Sequence, residues 1–101
     1  NFTVALMIDQ RVSEGEAIKF FNRSAKTTTI PAQLANKYGC SIVPVYIERI
    51  NKFHFKLYFN KPIKFDDKFS VEQISLELNK ILEKMILKNP DQWIWSHNRW
   101  K

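Results

Sequence analysis

Few residues in this chain are equipped for chemistry, and they lie far apart in the sequence. The imidazoles are His54 and His97, and histidine is the side chain that takes up or gives away a proton near neutral pH. His54 sits in "FHFKLYF", where alternation sends it to the outer face of a strand, so a solvated or hydrogen-bonded role suits it better than catalysis. His97 lies in the closing run "NPDQWIWSHNRWK", Asn89 to Lys101, among Trp93, Trp95, Arg99 and Trp100. Three tryptophans so close together either close a core, line an apolar ligand groove or sit at a membrane boundary. Asp9 ends the apolar run "FTVALMID". Open α/β sheets bind ligands at the carboxyl ends of their strands, so an acid there is a candidate site residue, with bracing of the next loop as the alternative. Asp66 and Asp67 read as a solvated turn. Neither histidine falls in a metal-binding pattern, and two glycines do not build a phosphate loop.

Positioning these groups falls to a short series of elements. Phe2 to Asp9 is almost continuously apolar, which predicts a strand buried on both faces. "QRVSEGE" follows as a polar loop, and "AIKFFNR" is either a short strand or an irregular apolar segment. "TTTIPAQLANKYG" predicts a helix with a threonine cap, Pro31 in its first turn and Gly39 past its end, with Ile30, Leu34, Ala35 and Tyr38 on one face. "CSIVPVYIERI" and "FHFKLYF" predict two strands joined in an antiparallel hairpin, with an irregularity at Pro44 and with Phe53, Phe55, Leu57 and Phe59 on the buried side. Ser70 and Gln73 form a capping box for a last helix whose stripe is Val71, Ile74, Leu78, Ile81, Leu82 and Met85. Asn89 and Pro90 end it. The predicted class is therefore α/β, a mixed sheet in strand-helix-strand-strand-helix order, with a parallel crossover at the first helix.

Composition narrows the partners. A chain of 101 residues with 45% hydrophobic and 26% charged residues is one domain at most and is not of the disordered class. The net charge of +6 predicts attraction to nucleic acid, acidic lipid headgroups or an acidic carrier protein. Cys40 is the sole cysteine, which excludes an internal disulfide and favours a reducing compartment. No run approaches the ~18 apolar residues of a membrane span, and the start lacks a signal-peptide pattern. Asn1 runs straight into apolar sequence, as though the chain continued a longer one. An RNA-binding sheet is the rival reading, weakened because the aromatics of "FHFKLYF" alternate toward the buried face and no Gly-containing aromatic motif occurs.

Four blocks carry a family resemblance. "PDQWIWSHNRWK" resembles the closing motif of the bacterial lipid A biosynthesis acyltransferases, an acid, Gln, aromatic, aromatic, His, basic, aromatic run. "MIDQ", Met7 to Gln10, resembles the family's strand ending in an Asp-Gln or Asp-His pair, and "FFNRSAKTTTIPAQLANKYGCSIVPV", Phe20 to Val45, resembles its Phe-Phe-Gly turn, threonine and small-residue helix, and Val-Pro strand. Asn22 departs from the usual glycine, and Arg11 stands where some members carry a second acid.

The resemblance implies a glycerolipid-acyltransferase-like α/β fold and transfer of a fatty acyl group from an acyl carrier protein thioester to a hydroxyl of a lipid A precursor. It implies no cofactor, no metal and no nucleic acid. Family catalysis uses a histidine and, after four intervening residues, an acid; Phe59 stands five positions after His54, and His97 is too near the last residue. Residues 1–101 are accordingly expected to be the C-terminal part of the domain, inactive alone. A preceding part would bear the catalytic pair and an anchor to the cytoplasmic face of the bacterial inner membrane. Within this piece Asp9 becomes a supporting residue of the active centre. The tail tryptophans become cleft wall, and His97 and Arg99 orient loops or meet phosphate. Arg11, Arg23 and Lys26 are further phosphate-binding candidates, by charge and by proximity to the strand end.

Overall fold

A computed structural model describes residues 3–95 and 98–100. The chain forms β1 (Glu16–Phe20), β2 (Arg23–Thr27), α1 (Ile30–Tyr38), β3 (Val45–Arg49), β4 (Phe55–Phe59), α2 (Val71–Lys88) and a 3-10 turn at Pro90–Gln92. It is a mixed α/β structure of two small antiparallel sheets and two helices. β1 pairs with β2 and β3 with β4, so no parallel pair occurs among the described residues.

This order differs from the predicted one at its start. Residues 3–8 form no strand and are exposed up to Met7, because an apolar strand needs neighbours to receive its backbone groups and no strand among the described residues pairs with it. The polar run Arg23–Thr27, not read as a strand from sequence, is one: it pairs in register with β1, Ile18 opposite Ala25 and Phe20 opposite Arg23. Phe21 and Asn22 join the two with φ of 49° and 61°. Asparagine tolerates that left-handed conformation, so the turn forms without the family's glycine.

α2 is the spine. Its first half packs Ile74 and Leu78 against Ala32 of α1, with Ile8, Ile42 and Phe65 at the margin. Its second half sets Ile86 and Leu82 against Phe20 and Ala25 of the first sheet. The capping box is present: Ser70 Oγ accepts from the Gln73 N–H at 3.1 Å, and Gln73 Oε1 accepts from the Ser70 N–H at 2.8 Å. α1 turns Ala32 and Ala35 inward and leaves Ile30 and Tyr38 exposed. Small side chains let the two helices approach closely. Its N-cap residue Thr29 makes no capping bond and instead accepts from Gln33 Nε2 at 2.7 Å, while Gly39 ends the helix at φ 64° as expected.

The β3–β4 hairpin is antiparallel, as its sequence indicated, but the face bearing Phe55, Leu57 and Phe59 is exposed. The buried residue is Tyr46, on the opposite face. The hairpin is held from that side. Asn89 Nδ2 donates to the Tyr46 hydroxyl and to Glu48 Oε2, and the Gln92 carboxamide imitates a strand along the outer edge of β3. The Arg49 N–H donates to Gln92 Oε1 at 2.7 Å, and Gln92 Nε2 donates to the Ile47 carbonyl at 3.0 Å. Gln92→Ala removes both bonds, each worth about 1 kcal/mol. The expected outcome is faster amide exchange at Arg49 and through β3 with α2 unchanged, read by hydrogen exchange; equal acceleration in both elements would make Gln92 a general stabiliser instead.

Candidate functional site

At the far end of β2 the chain gathers several of the residues singled out by sequence. The loop after Asp9 runs back along β2, with the Val12 N–H donating to the Lys26 carbonyl at 3.4 Å. Gly15 permits the contact, since an added Cβ would lie 2.3 Å from the Thr27 carbonyl oxygen. Arg99 arrives from the tail and is fully buried. Its Nη1 donates to the same Lys26 carbonyl at 2.7 Å and its Nη2 to Thr27 Oγ1 at 3.0 Å. The guanidinium also lies 5.2 Å from the Phe20 ring centroid, a cation–π arrangement.

Thr27 Oγ1 is the hub of this cluster. It donates to the Ala25 carbonyl at 3.0 Å and accepts from Arg99 and, at 3.3 Å, from Asn79 Nδ2 of α2. The Asn79 amide donates also to the Lys19 carbonyl at 3.2 Å, so tail, sheet and helix meet at one hydroxyl. Burial pushes the Arg99 guanidinium below its ordinary pKa, and the Asp9 carboxylate acts in the opposite direction. Arginine stays charged regardless. Arg99 Nε, Asn79 Oδ1 and Ser75 Oγ are buried without a hydrogen-bond partner among the described residues, a cost that an apolar cluster of the same shape would avoid.

The cationic candidates do not form one cluster. Arg11 Nη1 donates to Ser13 Oγ at 3.2 Å in the Asp9 loop, and the Lys26 side chain is exposed on the outer side of β2. Arg23 begins the strand at its other end, 5.5 Å from the Trp100 ring centroid. Along a strand that separation is about 10 Å. Arg99 faces inward rather than toward solvent, and His97 lies outside the described residues. Two of the tail tryptophans close the first core cluster: Trp93 and Trp100 contact Phe20 at centroid distances of 5.7 and 5.5 Å, and Trp100 Nε1 donates to the Phe20 carbonyl at 2.8 Å. His54 is exposed in the hairpin turn, its Nδ1 2.8 Å from Asn51 Oδ1.

Thr27, Asn79 and Ser75 escaped the sequence reading. Asn79 and Ser75 sit four apart on the buried stripe of α2, and two polar residues at core spacing were the available signal. A separate open groove of about 610 Å³ lies between the hairpin and the tail, lined by Ile47, Arg49, Phe55, Asn89, Asp91 and Gln92.

Fold and site together define a small basic α/β structure in which a buried arginine and the loop after Asp9 meet on one carbonyl of β2. The family model described as bacterial lipid A biosynthesis acyltransferase matches residues 1–101. The chain belongs to that family, which assigns it to acyl transfer in lipid A biosynthesis. No curated protein matches it. No helix among the described residues is long and apolar enough to cross a membrane.

Proposed function

We propose that residues 1–101 are the C-terminal part of a glycerolipid-acyltransferase-like domain that moves a fatty acyl group from an acyl carrier protein thioester to a hydroxyl of a lipid A precursor. Membership of the family over the whole chain carries this reading. The histidine and acid that perform the chemistry are assigned to a preceding part of the same domain, since Phe59 and not an acid stands five positions after His54. There the histidine takes the proton of the acceptor hydroxyl, the oxygen attacks the thioester carbonyl carbon, the carbon–sulfur bond breaks and the carrier thiol leaves with the proton. The exposed apolar run from Thr3 to Met7 supports this division, because it has the composition of a central strand and pairs with no strand among the described residues.

Asp9 serves that active centre from its loop, holding a cationic group or positioning the catalytic histidine. Arg11, Arg23, Lys26 and the tail's His97 meet the acidic carrier and the acceptor's phosphates. Arg99 acts from behind, through the Lys26 carbonyl and Thr27. The parent works at the cytoplasmic face of the bacterial inner membrane.

The chain incubated with labelled acyl carrier protein and lipid A precursor is expected to give no turnover above a heat-killed control. A polypeptide that also carries an upstream histidine and acid is expected to turn over, with Asp9→Asn lowering kcat about 100-fold at unchanged folded fraction. No transfer by the longer polypeptide would overturn the reading, and turnover by the chain alone would refute the assignment of the base.

A further inference from the structure

A two-stranded ribbon is not stable by itself, and among the described residues β3–β4 is held to the tail from one face and, through Gln92, along the outer edge of β3. Tyr46, buried, and Glu48, half-buried, are on that face, tied to Asn89. The opposite face carries the cross-strand pairs Val45–Phe59 and Ile47–Leu57, with Arg49 opposite Phe55. Every one of these side chains is exposed, Phe59 at 72%. At the turn Phe53 is 81% exposed and Ile50 55%. A contiguous apolar surface of this kind marks a contact site rather than ordinary surface.

Charge identifies what it contacts. From Val45 to Asn60 the hairpin holds Arg49, Lys52 and Lys56 against the single carboxylate Glu48, and Glu48 is already occupied by the Tyr58 hydroxyl at 3.1 Å and by Asn89 at 3.3 Å. The Arg49 guanidinium lies 5.3 Å from the Phe55 ring centroid, at the border of the apolar face, and Lys52 adjoins Phe53 at the tip. Apolar side chains fringed by long cationic ones fit the boundary of an anionic bilayer, where rings enter the acyl region and cations stay with the phosphates. A second copy of the chain fits poorly, because pairing like faces opposes the same cations across the contact. Base stacking on this face is also disfavoured, because the Arg49 guanidinium lies against the Phe55 ring.

We infer that the β3–β4 hairpin, led by Ile50 and Phe53 and fringed by Arg49 and Lys52, docks the chain on an anionic lipid surface. The inference deepens the acyltransferase reading and rests on it for its biological setting, since a lipid acceptor lies in such a surface. Its physical basis is the hairpin alone.

The test is sedimentation of the chain with vesicles of phosphatidylcholine and phosphatidylglycerol in equal parts, near physiological ionic strength. Binding is expected to fall about tenfold with Phe53→Ser, and by more than tenfold with Lys52→Glu, which removes one favourable charge and adds an unfavourable one at about fivefold each. Pure phosphatidylcholine vesicles are expected to bind weakly, and circular dichroism to show both variants folded, as suits exposed turn positions. Joint substitution of Arg11, Arg23 and Lys26 by glutamine is expected to weaken binding less than Lys52→Glu alone. Vesicle binding insensitive to both tip variants overturns the inference. So does tight single-stranded RNA binding that Phe53→Ser abolishes, or self-association that the same change dissolves. Acyl transfer enters none of these readouts, so failure here leaves the proposed reaction standing, and failure of the reaction leaves the hairpin result intact.

Discussion

Phe20→Ala is expected to cost about 4 kcal/mol of folding stability, enough to bring a domain of this size close to its unfolding midpoint. Phe20 is completely buried, and its ring is enclosed by Phe21 at 4.8 Å, Trp93 at 5.7 Å, Trp100 at 5.5 Å and the Arg99 guanidinium at 5.2 Å. Deleting it removes apolar burial, several ring–ring contacts and the surface on which the guanidinium rests. The tail should then detach from the first sheet. Tryptophan emission reports this directly, since Trp93 and Trp100 move toward water while Trp95, already half exposed, changes least. Phe20→Leu should retain most of the volume and lose about half as much stability. A Phe20→Ala protein with unchanged urea midpoint and emission would mean that the tail is held by its backbone and by Arg99 rather than by packing.

What could be read in advance divides along physical lines. α2 was legible because a capping box and a stripe at helical spacing are local signals, and both are present from Ser70 to Met85. The β3–β4 hairpin was legible for the same reason. Its buried face was not: alternation says that two faces differ, and only tertiary packing decides which is covered. Here Asn89 and Gln92 hold the side of Tyr46, from more than forty positions away in sequence. β2 was missed because "RSAKT" has one apolar residue, Ala25; it becomes a strand through pairing with β1 and the hydrogen bonds that converge on Thr27. The first apolar run met the opposite fate, since composition favours a strand but backbone groups need a partner beside them. In the candidate site, Asp9 and Arg99 stood out by residue type, but a buried Arg99 bound to the backbone of β2 was not foreseen, because the Lys26 carbonyl it shares with the loop after Asp9 is displayed by no side-chain pattern.

Arg99→Met is expected to destabilise the chain by about 3 kcal/mol, nearly as much as the loss of Phe20. Methionine fills much of the same volume but leaves the Lys26 carbonyl to the long Val12 bond alone and removes the donor from Thr27 Oγ1. Arg99→Lys keeps the charge, yet a single ammonium does not span both acceptors or lie flat against Phe20, so it should recover no more than about half of the loss. The informative measurement is a double-mutant cycle with Asp9→Asn in urea denaturation. If the carboxylate and the guanidinium act on each other across the loop, the two changes together should cost about 1 kcal/mol less than their sum. That coupling would make the tail arginine the group that holds the Asp9 loop against β2. Strict additivity would leave Arg99 a tie between tail and sheet alone, and Asp9 would then owe its position to the turn that Val12 and Gly15 form over Thr27.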